Sequence, residues 1–210
     1  MEVFLMPSLE QIILAVPAIL LAISFHELGH GYAAYKLGDP TPKYQGRLTL
    51  NPLAHLDPLG TIMLILFRIG WAKPVMINSQ YFKNKRQGIV LVSLAGPLAN
   101  VILGWLFYNT LRIAAPRLPY TAFTSTFLVF LLINVQVNLG LAAFNLIPIP
   151  PLDGSHILAG LLPPRASYRY AQLARYGPVL LAVLLISGGA RLIINPIYSA
   201  LSQLLVRLSL

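Results

Sequence analysis

The sequence predicts an all-α polytopic membrane protein with about five to six transmembrane helices and a short β-like or re-entrant segment after the first. Of the 210 residues, 57% are hydrophobic and only 10% are charged, and the mean hydropathy is +0.71. Soluble domains usually carry about 25% charged residues. A surface with so few charges cannot face water throughout, so lipid must cover much of it. This disfavours a soluble protein with a large core.

Apolar runs provide the individual crossings, because a spanning helix needs about 20 mostly apolar residues. The predicted spans are roughly residues 9–36, 89–111, 122–146, 173–189 and 191–208. The first run is not predicted to be a cleavable signal peptide, because it lacks a basic region before it. No internal repeat or low-complexity tract interrupts these runs.

The region after the first span differs in composition. Residues 37–57 are richer in Gly, Pro and polar groups, and Arg47–Leu50 within them predicts a short strand. The apolar stretch 59–70 is too short to cross a bilayer comfortably and is predicted to be re-entrant or interfacial. A second short apolar piece, 156–162, follows the third span.

Charge indicates how the chain lies in the membrane. The net charge is +9, which could indicate nucleic-acid binding. The basic residues are scattered through short loops, however, and this distribution is more typical of the positive-inside bias of membrane proteins. Eight Lys and Arg lie between the first and second clear spans and two between the second and third. The first and third loops are therefore predicted to be cytosolic, with the N-terminus outside. The ends of the first and third spans then share the cytosolic side.

One acidic residue, Glu27, lies inside an apolar span, where an ionisable group indicates a functional site. It belongs to His26-Glu27-Leu28-Gly29-His30. On a helix the two histidines project from one face and can bind one zinc ion, and Glu27 can act as general base on water there. The alternative is a helix face without a metal, which an apolar span disfavours. The chain has no cysteine, so thiolate ligands and disulfides are excluded.

Asp153 is the candidate for a third ligand, because catalytic zinc usually has three protein ligands and a water. It follows the third span, in Asn145-Leu-Ile-Pro-Ile-Pro-Pro-Leu-Asp153-Gly154. The prolines break the helix, and broken backbone at membrane depth is tolerated only inside protein or along a water-filled cavity. The alternative for Asp153 is an ordinary helix cap or Asp-Gly turn.

These motifs resemble the site-2 protease family of intramembrane zinc metalloproteases. His26 to His30 matches the zinc-binding motif of that family, and Asn145 to Gly154 resembles its second motif. The stretches 46–52 and 95–100 are similar to the compact prokaryotic members without a PDZ domain, and the resemblance covers roughly residues 20–160.

The resemblance implies hydrolysis of peptide bonds in or near transmembrane segments of substrates, as in regulated intramembrane proteolysis. It implies one zinc per chain held by His26, His30 and Asp153, with Glu27 catalytic. It also implies that Asn145 stabilises the oxyanion or positions substrate, since an amide can donate to a developing oxyanion. An interhelical hydrogen bond is the alternative for Asn145.

One membrane-embedded metalloprotease domain, 1–210, is therefore expected, with a catalytic core at about 9–160 and C-terminal helices at about 170–208. The expected location is a prokaryotic plasma (inner) membrane, with the active site toward the cytosol. The expected partners are a transmembrane protein substrate and membrane lipid, with no nucleic acid, and homo-oligomerisation is left open. Arg47–Leu50 or Pro74–Asn78 is expected to pair with an unwound substrate.

Two other classes of function remain as alternatives: a metal-ion transporter, and a membrane binding protein without catalysis. Glu27 between the two histidines disfavours transport, because a transport site needs no general base. The roles of His55, His156 and Asn100 are left open; for Asn100 a structural role is favoured over one lining the site.

Overall fold

The computed structural model describes residues 9–57, 59–60 and 73–209, and the described part of the chain is helical with no extended strand. Its α-helices are α1 Leu9–Lys36, α2 Thr41–Tyr44, α3 Lys85–Ala114, α4 Ala122–Asn145, α5 Asp153–Leu161, α6 Pro164–Leu173, α7 Gly177–Ile186 and α8 Ala190–Arg207. Short 3-10 turns lie at Pro52–Ala54, Ser79–Tyr81 and Ala174–Tyr176.

Three of these helices are long and apolar enough to cross a membrane. They are α1 from Ile12 onward, α3 and α4. The C-terminal helices form a pair bent by 86°, Pro164–Ile186 with Ala190–Arg207, which adds a fourth crossing if the pair counts as one. The predicted all-α membrane fold is therefore confirmed, and by this measure the described residues supply three or four crossings.

Polar residues and prolines determine where the central helices begin and end. The Asn84 side chain caps α3 by accepting from Gln87 N, and Thr121 and Thr124 form a reciprocal capping box at the start of α4. Helix α4 ends at Asn145, three residues before the first proline of the segment 148–151. Proline lacks the N–H that would continue the helix, so the chain leaves α4 there and re-enters a helix at α5.

Helix α3 is central, because it packs against α1, α4 and α5. Small residues bring the first pair together: a Cβ on Gly29 would lie 2.6 Å from Ala95 O, so the α1 and α3 backbones are in contact at this point. Small residues are the usual means of close helix approach in membranes. This packing places the histidine face of α1 against α3.

The strand predicted for Arg47–Leu50 is not present in the structure. Residues 48 and 49 form a bend, and Arg47 N–H donates to Pro42 O at 2.9 Å. Side chains satisfy carbonyl groups that a neighbouring strand would otherwise satisfy: His55 Nε2 donates to Thr49 O at 2.9 Å and the Arg47 guanidinium donates to Ala54 O. The segment therefore folds on itself. Of the predicted re-entrant stretch 59–70, all but residues 59 and 60 lie outside the described residues.

Residues 73–78 have no regular secondary structure and lie beside α1, with Asn78 in an extended conformation. Lys73 N donates to His55 O at 2.8 Å, and Asn78 N donates to the fully buried Asp39 carboxylate at 2.7 Å. Between these two anchors, Val75 N donates to Glu27 Oε2 at 3.0 Å. These hydrogen bonds hold the loop before α3 along one end of α1, the end that the distribution of charge predicts to face the cytosol.

Candidate metal centre

One turn of α1 supplies two imidazoles and a carboxylate. His26 and His30 are 6% and 8% exposed, and Glu27 between them is half-buried. Because residues four apart on a helix lie above one another, both imidazoles point to the same side of α1. That side faces α3 and the start of α5.

Asp153, the first residue of α5, completes a cluster with these histidines. Its Oδ2 lies 3.1 Å from His26 Nε2 and 3.3 Å from His30 Nε2, and the two Nε2 atoms are 3.0 Å apart. Within the described residues, this trio is the group of His and acidic side chains whose geometry could hold a metal ion. The structure thus brings Asp153 beside two histidines that precede it by more than a hundred positions in the sequence.

The other ring nitrogens show which atoms are free to bind. His26 Nδ1 lies 2.7 Å from Asn100 Oδ1, and His30 Nδ1 lies 2.7 Å from Val92 O. Both oxygens can only accept, so each Nδ1 carries the proton and each Nε2 presents a lone pair. Three electron-pair donors therefore face one another at about 3 Å, an arrangement that repels itself unless a cation lies between them.

Zinc fits this donor set. Bonds of about 2.0–2.1 Å to nitrogen and oxygen in a tetrahedral site place neighbouring ligand atoms about 3.3 Å apart, close to the separations of 3.0, 3.1 and 3.3 Å seen here. Asp153 Oδ2 is buried, yet within the described structure it accepts no well-formed hydrogen bond. Nδ1–H donation to an oxygen is also the usual way a metal-binding histidine is oriented.

The backbone around the cluster is shaped by two glycines. A Cβ on Gly96 of α3 would lie 2.4 Å from His30 Nε2 and 2.8 Å from His26 Cε1. A Cβ on Gly154 would lie 2.3 Å from Leu146 O. Gly96 therefore leaves room for the imidazoles against α3, and Gly154 lets α5 begin directly against the end of α4, which places Asp153 at the cluster.

Glu27 is next to the cluster but outside it. Its Oε2 accepts from Val75 N at 3.0 Å, so one carboxylate oxygen is fixed by the segment 73–78. A carboxylate with one oxygen held by a backbone amide and the other uncommitted is suited to moving a proton at a fixed place.

Asn145 and Asn100 lie in different surroundings. The Asn145 amide donates to Leu141 O of its own helix at 3.0 Å. Asn100 is fully buried and contacts the site through His26.

The two remaining histidines do not join the cluster. His55 is fully buried and donates to Thr49 O, so it holds the turn at 49–55. His156 is exposed and lines a cleft between the start of α3 and α5–α6.

Sequence reasoning missed Gly96, the Val92 carbonyl and Asn138. Asn138 accepts from Asn100 Nδ2 and donates to Asn134 O. A signal existed for Asn138: it follows Asn134 by four residues in an apolar run, so both amides lie on one face of a membrane helix. The Val92 carbonyl has no signal in the sequence, because any residue offers that atom.

Comparison with known proteins points to one class of enzyme. The profile of peptidase family M50 matches residues 109–185. The chain is 40% identical over 202 residues to the Bacillus subtilis protein named "Putative zinc metalloprotease YwhC", covering 95% of this chain and 92% of that protein. It is 33% identical over 182 residues to Rip2 of Mycolicibacterium smegmatis, which bears the same description, covering 83% and 67%.

A third relative, MJ0611 of Methanocaldococcus jannaschii, also bears that description and is 31% identical over 140 residues, covering 64% of this chain and 63% of that protein. No solved structure shows a significant match.

Proposed function

Since the chain belongs to peptidase family M50, the site-2 proteases, and is an intramembrane zinc metalloprotease, we propose that His26, His30 and Asp153 bind its zinc and that Glu27 is its general base. One observation carries the assignment. Three electron-pair donors, from His26, His30 and Asp153, converge beside Glu27 of the membrane helix α1. No described feature favours the transporter or the non-catalytic binding protein.

The zinc, when bound, supplies a Lewis acid that polarises the scissile carbonyl and makes a water easier to deprotonate. Glu27 takes a proton from the attacking water and gives it to the leaving amide nitrogen. A C–O bond forms, the C–N bond breaks, and a carboxylic acid and an amine leave. The Val75 amide holds Oε2 of Glu27, so Oε1 is the oxygen placed to carry the proton.

Asn145 is the proposed donor to the oxyanion. An amide nitrogen carries two N–H groups, and only one of them is used by Leu141 O. The second N–H is free to donate to the carbonyl oxygen as negative charge develops on it. Replacing Asn145 by Ala then lowers kcat by about 10²–10³-fold, as for other oxyanion donors, while zinc content is unchanged.

The substrate is a transmembrane protein, and the proposed docking edge for it is the segment 73–78. Its inner amides are used by His55, Glu27 and Asp39. The amides of Met76 and Ile77 donate to no other part of the described chain, and both side chains are exposed. An unwound substrate can add alongside such an edge by main-chain hydrogen bonds with little sequence preference.

The placement in the membrane is also proposed. The basic loops support a zinc site toward the cytosol, and the bacterial relatives support a prokaryotic plasma membrane. Five to six crossings require the segment Pro164–Ile186 and α8 to cross separately, or residues 59–70 to enter the bilayer. The domain is a single unit with its catalytic core at about 9–160, a proposal supported by the positions of all five proposed active-site residues within 26–153.

Cleavage of model substrates in proteoliposomes tests the function. Fusion proteins with one transmembrane helix, with and without helix-breaking residues, are incubated with wild type, with the Glu27→Gln variant and with a zinc chelator, and the products are identified by mass. Cleavage by wild type alone supports the proposal. Cleavage that survives both Glu27→Gln and chelation overturns it.

A further inference from the structure

Three asparagines are fully buried where α3 meets α4, although both helices are largely apolar. Asn100 lies on α3, and Asn134 and Asn138 lie one turn apart on α4; each is 0% exposed. A buried polar group costs free energy unless it is hydrogen-bonded. The hydrogen bonds of each amide therefore indicate its role.

Two of these amides connect His26 to backbone carbonyls. His26 Nδ1–H donates to Asn100 Oδ1 at 2.7 Å. Asn100 Nδ2 donates to Ala22 O at 2.8 Å and to Asn138 Oδ1 at 2.9 Å. Asn138 Nδ2 donates to the backbone oxygen of Asn134 at 2.9 Å.

The donors and acceptors in this series of hydrogen bonds are fixed at both ends. Backbone carbonyls can only accept, so Ala22 O requires the Asn100 nitrogen and Asn134 O requires the Asn138 nitrogen. Asn100 Oδ1 is then forced to face His26. If the Asn100 amide turned over, its nitrogen would face Nδ1, and the imidazole proton would move to Nε2, where it blocks metal binding.

We propose that Asn138 is a positioning residue for the metal centre. Its Oδ1 accepts from Asn100 Nδ2 alongside Ala22 O, and the two acceptors together hold the Asn100 amide in the one orientation that keeps His26 in its Nδ1–H form with Nε2 free. The Asn134 side chain is not part of this chain of bonds: its Nδ2 donates to Phe130 O, and its Oδ1 accepts no hydrogen bond from the described residues. The proposal rests on zinc binding by His26, His30 and Asp153, and not on proteolysis.

Asn134 and Asn138 provide a matched pair of variants, because they share a helix, a residue type and complete burial. Zinc affinity is measured by competition with a chromophoric chelator on purified Asn138→Leu and Asn134→Leu proteins in detergent. Asn138→Leu weakens zinc binding about tenfold, the lower end of the effect of removing outer hydrogen-bond partners. Asn134→Leu leaves it unchanged, since Asn138 uses only the Asn134 backbone oxygen. Loaded with cobalt, Asn138→Leu shows an altered visible spectrum and Asn134→Leu does not.

A second substitution separates orientation from packing. In an Asn100→Asp background, either carboxylate oxygen can accept from His26, and residue 100 no longer has an N–H for Asn138 Oδ1 to accept. Asn138→Leu therefore removes no hydrogen bond to residue 100 and does not weaken zinc binding further in that background. If Asn138→Leu does not fold, the Asn138→Ala and Asn134→Ala pair is measured in the same way.

The proposal is overturned if the two α4 variants weaken zinc binding equally, or if neither does. It is also overturned if Asn138→Leu costs as much with Asp at position 100 as with Asn. Because the readout is metal affinity, failure here is distinct from failure of the proposed protease, which is tested by cleavage.

Discussion

Gly96 carries no reactive group, yet the zinc site depends on it. Its hydrogen occupies the place where a methyl group would lie 2.4 Å from His30 Nε2, closer than any real contact of this kind. The backbone of α3 can therefore pass the imidazoles only without a side chain at this position. The site therefore requires the space left by the missing side chain at position 96 as well as the residues of the cluster.

Replacing Gly96 by Ala is therefore expected to displace an imidazole and lower zinc affinity by at least about tenfold. The matched control is Gly140→Ala on α4, where a Cβ meets nothing within 4 Å and Ala favours the helix. Zinc titration of both variants checks this. Equal zinc affinity in the two would show that the imidazoles are not confined by α3.

At the same scale, the proposed role of Glu27 can be tested separately from metal binding. Glu27→Gln keeps an oxygen that can accept from Val75 N, but it cannot carry a proton. We expect zinc content to remain at the wild-type level while cleavage falls about 10²–10⁴-fold, the usual contribution of a general base. Loss of zinc in this variant would instead place Glu27 among the metal ligands.

At the scale of elements, the break between α4 and α5 places the third ligand. The prolines end α4 at Asn145, and α5 begins eight residues later with Asp153. That break is visible in the sequence, because proline removes donors and restricts its predecessor. The charge count places this break and the histidines on the same side of the membrane, and for these two reasons the position of Asp153 beside the histidines could be predicted from the sequence.

Other features could not be predicted, because they depend on which helices pack together. The sequence does not show that Gly96 faces His30 or that Asn138 reaches Asn100, since each pair joins different helices. The strand expected at Arg47–Leu50 was wrong for a related reason. Its apolar residues favour a strand locally, but Arg47 and His55 bond to carbonyls of the same turn.

The segment 73–78 supplies a prediction about substrate docking. Ile77→Pro removes an amide from the proposed edge and lowers kcat/KM about threefold to tenfold, the worth of one main-chain hydrogen bond. Ile77→Ala keeps the amide and changes kcat/KM much less. Zinc content, measured alongside, stays constant in both. Equal effects of the two substitutions would contradict strand-like docking.

At the scale of the whole molecule, the distribution of charge predicts orientation. The chain has no cysteine, so single cysteines can be introduced without first removing others. Lys83→Cys, in the basic loop before α3, is expected to be shielded from a membrane-impermeant maleimide added to intact cells. Tyr120→Cys, in the exposed loop before α4, is expected to react. The reverse pattern would place the zinc site on the outer side.

Zinc also links distant parts of the fold, because its proposed ligands belong to α1 and α5. A ligand that binds only the folded state stabilises it by about 4 kcal/mol at a thousandfold excess over Kd. Chelation is therefore expected to lower the melting temperature of the wild type in detergent, and to leave that of Asp153→Ala nearly unchanged. Equal shifts would mean that the chelator acts on something other than this site.

The zinc content of the purified protein, wild type beside Asp153→Ala, tests the central claim most directly. A three-ligand site predicts about one zinc per wild-type chain and little in the variant, because two histidines alone bind weakly. Wild type without metal after zinc is supplied, or a variant that retains all of it, would contradict a zinc centre shared by α1 and α5.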